Sequence, residues 1–239
     1  MTIATALISF LLLVFPLNVN TVISITGNSV AQMQGGFQTD LWPALPVSEI
    51  SIFGQYSMTC RDLLQTGPTG LPLIMAMAPA SSQVIVLYDV SNDVHTRVGV
   101  QDHIACMRQT IQDFYERNPA IKIVITNQLP WGQGFLLNGQ WYQRGDDGVL
   151  CAGYFDARAI IAQYNQAYAT TDWNQGLPPG TVTLVDVWTP NALANGFGDP
   201  RYIKGGCLVH PDLPNQWTPV WQHFTAPVVQ AVNTLMGDR

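Results

Sequence analysis

Five short runs rich in β-branched and aliphatic residues, at 21–26, 49–53, 83–88, 121–126 and 181–188, recur at intervals wide enough for a helix between neighbours. Runs spaced in this way read as strands joined by right-handed crossovers, which place them parallel in one sheet with helices over both faces. Val84-Ile-Val-Leu-Tyr88 is continuous rather than alternating, the pattern of a strand hidden on both sides. The clearest helix spans 100–117, where Ile104, Met107, Ile111 and Phe114 fall three and four apart and Asn118-Pro119 stops it. A second, over 155–168, carries Ile160, Ile161 and Tyr164 on one face. The expected fold is a three-layer α/β/α sandwich on a five-stranded, mostly parallel sheet.

At 239 residues the chain can bury one sizeable core, and a single domain over 21–239 is expected. Charged residues are 11% against about 25% in an ordinary domain, yet 47% apolar content excludes a disordered chain. The net charge of −6, with ten Lys and Arg scattered along the chain, excludes a phosphate-backbone binder, so no nucleic-acid partner is expected. The apolar stretch from Ile3 to Phe15 has the length of a secretory signal core and is short for a membrane span. Residues 1–20 are therefore read as a signal peptide or N-terminal hydrophobic segment, the chain as exported, and no stable membrane partner is expected. Against this, no Lys or Arg precedes Arg61 and no small-x-small cleavage pattern precedes Thr21.

The four cysteines, Cys60, Cys106, Cys151 and Cys207, lack paired CxxC spacing, and their even number suits disulfides in an oxidising compartment. Three connectivities are possible. If the sheet has the flavodoxin-like order 2-1-3-4-5, the helices after the second and third strands lie side by side, which favours Cys60 with Cys106 and leaves Cys151 for Cys207. The segment 131–180, rich in Gly, Trp and Tyr, is longer than a plain crossover and reads as a lid or cleft wall.

Open parallel sheets bind ligands at the carboxyl ends of their strands. Thr26-Gly27-Asn28-Ser29 follows the first strand, Gly54-Gln-Tyr-Ser57-Met-Thr59 the second, Asn92 and Asp93 the third, and Cys207-Leu-Val-His210-Pro211 comes after the fifth. A hydroxyl, loop amides, a carboxamide and an imidazole thus share one edge. Acyl transfer needs that set: a serine hydroxyl attacks only once an imidazole takes its proton, and the developing oxyanion needs fixed N–H donors. Asn92 offers its amide at the strand end, and Asp93 is expected to brace the turn there.

On these residues the chain resembles the SGNH, or GDSL, hydrolase superfamily from Val22 to about His223. Ile25-Thr-Gly-Asn-Ser29 is similar to its first block, Leu87-Tyr-Asp-Val-Ser-Asn-Asp93 to its third, and Val209-His210-Pro211 to its last. Gly36-Phe-Gln-Thr-Asp-Leu-Trp42 and Arg117-Asn-Pro119 are similar to members that deacetylate plant polysaccharides. The resemblance implies Ser29 as nucleophile, His210 as base, and an oxyanion hole of the Ser29 N–H, the Ser57 N–H and the Asn92 side chain. It implies no cofactor and an ester substrate, small or polymeric. Asn28 stands where the family has aspartate and Ser57 where it has glycine. Cys207 stands where it has the acid that orients the histidine. A backbone carbonyl near Cys207, Asp199 or Asp212 would then take that role, with a Cys151–Cys207 disulfide holding the histidine loop to the lid.

The main expectation is a short-chain esterase acting on a carbohydrate. The alternatives are a catalytically weak glycan-binding protein of the same fold and an acylhydrolase of lipid esters. Ala31 replaces the second glycine of a G-x-S-x-G elbow, which argues against the α/β-hydrolase pattern. His95 and His103, with Asp93 and Asp102 nearby, straddle a helix start rather than share a helical face, which argues against a metal site. Trp131, Trp141 and Trp217 fall in expected loops where a sugar could stack.

Overall fold

A computed structural model describes residues 22–27, 49–54, 58–67, 69–88, 91–144, 150–152, 155–199 and 225–237. The strands of the main sheet are β1 (Val22–Gly27), β2 (Glu49–Gly54), β3 (Val84–Leu87), β4 (Lys122–Thr126) and β8 (Val182–Val185). They lie in the order β2-β1-β3-β4-β8, and every neighbouring pair is parallel. This is the doubly wound order 2-1-3-4-5 in terms of the five main strands. Around it run α1 (Cys60–Leu63), α2 (Leu73–Met77), α3 (Ser91–His95), α4 (Val100–Arg117), α5 (Arg158–Thr170) and α6 (Ala226–Gly237).

Alternation along the strands sends side chains to two faces, and both faces are dry. Ile85, Leu87, Ile123 and Ile125 pack into one cluster with Leu63 of α1, Ile74 and Met75 of α2, and Ile104, Met107, Ile111 and Phe114 of α4. Val84, Val86 and Val124, which alternate with them, are fully buried as well. Helix α6 packs on β4 and β8 through Val228, Val229 and Val232, outside that first cluster. Each such side chain contributes about 1.5–3 kcal/mol by leaving water, so the sandwich needs helices on both sides of the sheet.

Helix α4 has the boundaries its periodicity predicts. It ends because Asn118, extended at φ −145° and ψ 95°, precedes Pro119, whose ring disfavours helical geometry in the residue before it. Helix α1 begins with a capping box, in which the Thr59 side chain and the Asp62 carboxylate satisfy each other's backbone N–H groups. Its Cys60 is bonded to Cys106 of α4, with Cα atoms 6.1 Å apart. Closing that 46-residue separation contributes about 4 kcal/mol in the chain-entropy account. Cys151 is also disulfide-bonded, and its expected partner, Cys207, lies outside the described residues.

The segment expected as a lid contains a second, antiparallel sheet of β5 (Gly134–Leu137), β6 (Gln140–Arg144) and β7 (Leu150–Ala152), followed by α5. Asn138 and Gly139, at φ 51° and 77°, form the two-residue turn between β5 and β6. That turn requires left-handed backbone at both positions, which Asn-Gly adopts at little cost. Trp131 lies in a loop, as expected, but it is 3% exposed and packs against the Phe155 ring, so it offers no open face for a sugar to stack on. Among the described residues no helix is long and apolar enough to cross a membrane.

Candidate active site

Strand register sets the carboxyl edge of the main sheet level: Gly27 lies opposite Gly54, Thr26 opposite Leu87, Leu87 opposite Ile125, and Thr126 opposite Val185. The loops that leave this edge therefore start side by side. Ser29, Ser57, Cys207, His210 and Asp212 lie outside the described residues, as do Asn28, Trp217 and the 36–42 segment. What the structure describes at this edge is the frame on which the expected loops are mounted.

Helix α3 follows β3 and carries Asn92 and Asp93 on its first turn. The Asn92 carboxamide donates to the Met58 carbonyl at 3.0 Å, so the third-strand residue is tied to the loop that follows Ser57. Asp93 is 1% exposed and accepts from the Cys60 N–H at 2.8 Å through one oxygen and from His103 Nδ1 at 2.6 Å through the other. Its carboxylate thus braces α1 and α4 against the strand end, rather than the turn in which it sits, as the sequence alone suggests.

His103 is wholly buried on α4, and its second ring nitrogen meets the Tyr168 hydroxyl of α5 at 2.9 Å. The Nδ1–H tautomer satisfies both contacts, with Nδ1 donating to Asp93 and the tyrosine hydroxyl donating to Nε2. The Tyr164 ring lies 4.7 Å from the imidazole, centroid to centroid, and its hydroxyl donates to the Val98 carbonyl. Burial, with the nearby Asp93 and Asp102 carboxylates, pushes the Tyr164 phenol well above its ordinary range, so it stays a neutral donor. His95 is exposed, its ring 6.2 Å from that of Trp131, and among the described residues no group of three or more His, Cys, Asp and Glu side chains is placed to hold a metal ion.

The β4 and β8 ends are joined in a similar way. Asn127 donates its amide to Asp186 and accepts through its carbonyl oxygen from the Val187 and Trp188 N–H groups. Burial raises the Asp186 carboxyl, but hydrogen bonds from Thr189, Asn127 and Trp188 outweigh it and hold the group below the usual carboxylate range. Asp199, a candidate for orienting His210, is 4% exposed beyond β8, where its N–H donates to the Asn191 carbonyl.

Two other polar groups lie away from this edge. Ser24 shares a 2.7 Å hydrogen bond with Ser82, which precedes β3, on the amino side of the sheet. Arg117 and Asn118 lie on the same side, donating to Met75, Ala78 and Ser82 carbonyls. In the described structure Arg117-Asn118-Pro119 therefore organises the turn into β4. The Asp93–His103–Tyr168 chain is the part that sequence reasoning misses, because its three members lie on different helices. Only the apolar setting of His103 on the inner face of α4 hints at it.

No family model and no curated sequence matches the chain. Solved structures do match in fold. A family 3 carbohydrate esterase from Clostridium thermocellum aligns with a TM-score of 0.56 at 12% identity, over 89% of this chain and 98% of that one. A G-D-S-L family protein from Desulfitobacterium hafniense gives 0.57 at 13% identity, over 89% and 99%. A family 2 carbohydrate esterase from Clostridium thermocellum, solved in complex with cellohexaose, gives 0.56 at 13% identity, over 92% and 65%. With its 2-1-3-4-5 sheet and an amide-bearing turn after the third strand, the chain has the fold of the SGNH, or GDSL, hydrolases.

Proposed function

We propose that the protein is an exported serine esterase that removes short acyl groups, acetyl above all, from a carbohydrate. The observation that carries this reading is the hydrogen bond from Asn92 to the Met58 carbonyl, which joins the third-strand amide to the residue after Ser57. An amide nitrogen has two hydrogens, and with one spent on Met58 the carboxamide is held while the other serves an oxyanion. In the sequence Ser29 follows Gly27, the last residue of β1, by two positions.

In this reading Ser29 attacks the ester carbonyl and His210 takes the hydroxyl proton, later returning it to the leaving alcohol. The Ser29 and Ser57 N–H groups and the Asn92 amide stabilise the tetrahedral oxyanion, and water then releases the acid by the same steps in reverse. The histidine is oriented by a backbone carbonyl near Cys207, or by Asp199 or Asp212, with Cys151 anchoring its loop. Export is supported by the apolar residues 3–15 and by the Cys60–Cys106 disulfide, and a single catalytic domain over 21–239 by the main sheet, whose five strands are drawn from residues 22 to 185. The carbohydrate preference is supported by fold likeness to carbohydrate esterases.

The test is hydrolysis of p-nitrophenyl acetate and of longer p-nitrophenyl esters by the wild type and by Asn92→Ala. The wild type should prefer acetyl to octanoyl, and Asn92→Ala should lower kcat by about 100- to 1000-fold. An unchanged kcat removes Asn92 from the site, and a preference for octanoyl favours a lipid acylhydrolase. Cys207 at the acid position favours a second reading, a glycan-binding protein that turns nothing over. Complete inactivity on every ester would leave that reading standing.

A further inference from the structure

A groove of about 660 Å³ runs between the small antiparallel sheet, the start of α5 and the loop beyond β8, within the size range of small-ligand sites. Its geometry follows from strand pairing. Gly134 pairs with Gln143 and Leu136 with Trp141, so these four residues share one face of the small sheet. That face is turned toward the body of the protein, because a Cβ on Gly134 would meet the Phe155–Asp156 backbone at 2.8–3.0 Å. Two residues farther along the same face, Trp141 lines the groove with 36% of its surface exposed.

The opposite wall carries Leu193, 39% exposed, and Asn195. Between the walls, Arg158 binds Asp156 through Nε and Nη2, at 2.7–3.1 Å, while its guanidinium lies 4.0 Å above the Phe197 ring. This fixes a planar fork whose remaining N–H groups make no hydrogen bond among the described residues. Asn195 spends its oxygen on the Phe197 N–H and keeps its amide hydrogens.

These parts fit one ligand class. An aromatic face and an apolar wall take the C–H face of a pyranose, and planar donors and acceptors at fixed angles take its vicinal hydroxyls. The Arg158–Asp156 pair is neutral as a unit, which suits an uncharged ligand rather than a polyanion. Helix α5 leads back to the amino end of β8, so its start lies at the carboxyl edge of the main sheet, as does Trp188, three residues beyond β8. The groove therefore opens on the same edge as Asn92.

We propose that this groove holds a neutral sugar unit of the substrate polymer, beside the unit that bears the ester. The polymer and its ester rest on the esterase reading, whereas sugar binding in the groove does not. Isothermal titration with unacetylated hexasaccharides of glucose, xylose and mannose tests it, using the wild type, Trp141→Ala and Trp141→Phe. At least one hexasaccharide should bind, Trp141→Ala should weaken it about tenfold or more, and Trp141→Phe should retain most of the affinity. Hydrolysis of p-nitrophenyl acetate, which has no sugar, should be equal in all three. Absence of binding to the wild type, or equal binding by Trp141→Ala, overturns the proposal. Trp141-dependent binding in a protein that hydrolyses no ester leaves the groove standing and removes the esterase reading; hydrolysis without binding does the reverse.

Discussion

His103→Ala should destabilise the protein by about 3–5 kcal/mol, the cost of breaking a buried charge-bearing pair by removing one member. The imidazole is wholly buried, and Asp93, its partner at 2.6 Å, is 1% exposed. Without the ring, the Asp93 carboxylate keeps only the Cys60 N–H, and the Tyr168 hydroxyl loses the contact it makes with Nε2. The truncation also leaves a cavity next to Tyr164 and Tyr168, whose rings pack on the imidazole. In a chain of this size the midpoint should fall by roughly 6–20 °C in a thermal melt. Adding Asp93→Asn to the same chain should recover part of the loss, because the orphaned charge is then gone. A shift of less than about 2 °C would mean that the pair is not a structural bond of this edge.

The second large effect is catalytic. Ser29→Ala should lower kcat on p-nitrophenyl acetate by as much as about a millionfold, the scale seen when the serine of a serine hydrolase is removed. His210→Ala should do comparable damage, since the hydroxyl without its base is a poor nucleophile. The double variant should be no slower than either single one, because the two groups act as a unit and not as independent contributors. Additive losses would show that the two residues act in separate steps. Equal hydrolysis by Ser29→Ala and the wild type would place the chemistry elsewhere.

Much of the frame was legible because parallel strands announce themselves by continuous apolar runs. Val84–Leu87 is buried on both faces and reads as such, and 121–126, read as a strand, is buried from Ile123 to Thr126. The order 2-1-3-4-5 brings the second and third crossover helices together, and with it the Cys60–Cys106 pairing becomes readable. The small sheet was also encoded, in Asn138-Gly139 between Leu136-Leu137 and Trp141-Tyr142, a strong short-range hairpin signal. Reading that segment only as a lid missed it, and with it the burial of Trp131. The Asp93–His103 bond is of another kind. Ten residues separate its members on two helices, and no local pattern specifies how α3 and α4 meet. Spacing exposes what one element does with itself, whereas contacts between elements depend on the packed core.

In the proposed reaction a single nucleophile, Ser29, carries the chemistry. Reaction with a fluorophosphonate, followed by mass spectrometry of the digested protein, reads it out directly. The account predicts a single phosphonyl adduct on the peptide containing Ser29, blocked by prior incubation with an ester substrate and lost in His210→Ala. An unlabelled protein that still hydrolyses p-nitrophenyl acetate, or an adduct on another serine, would contradict it.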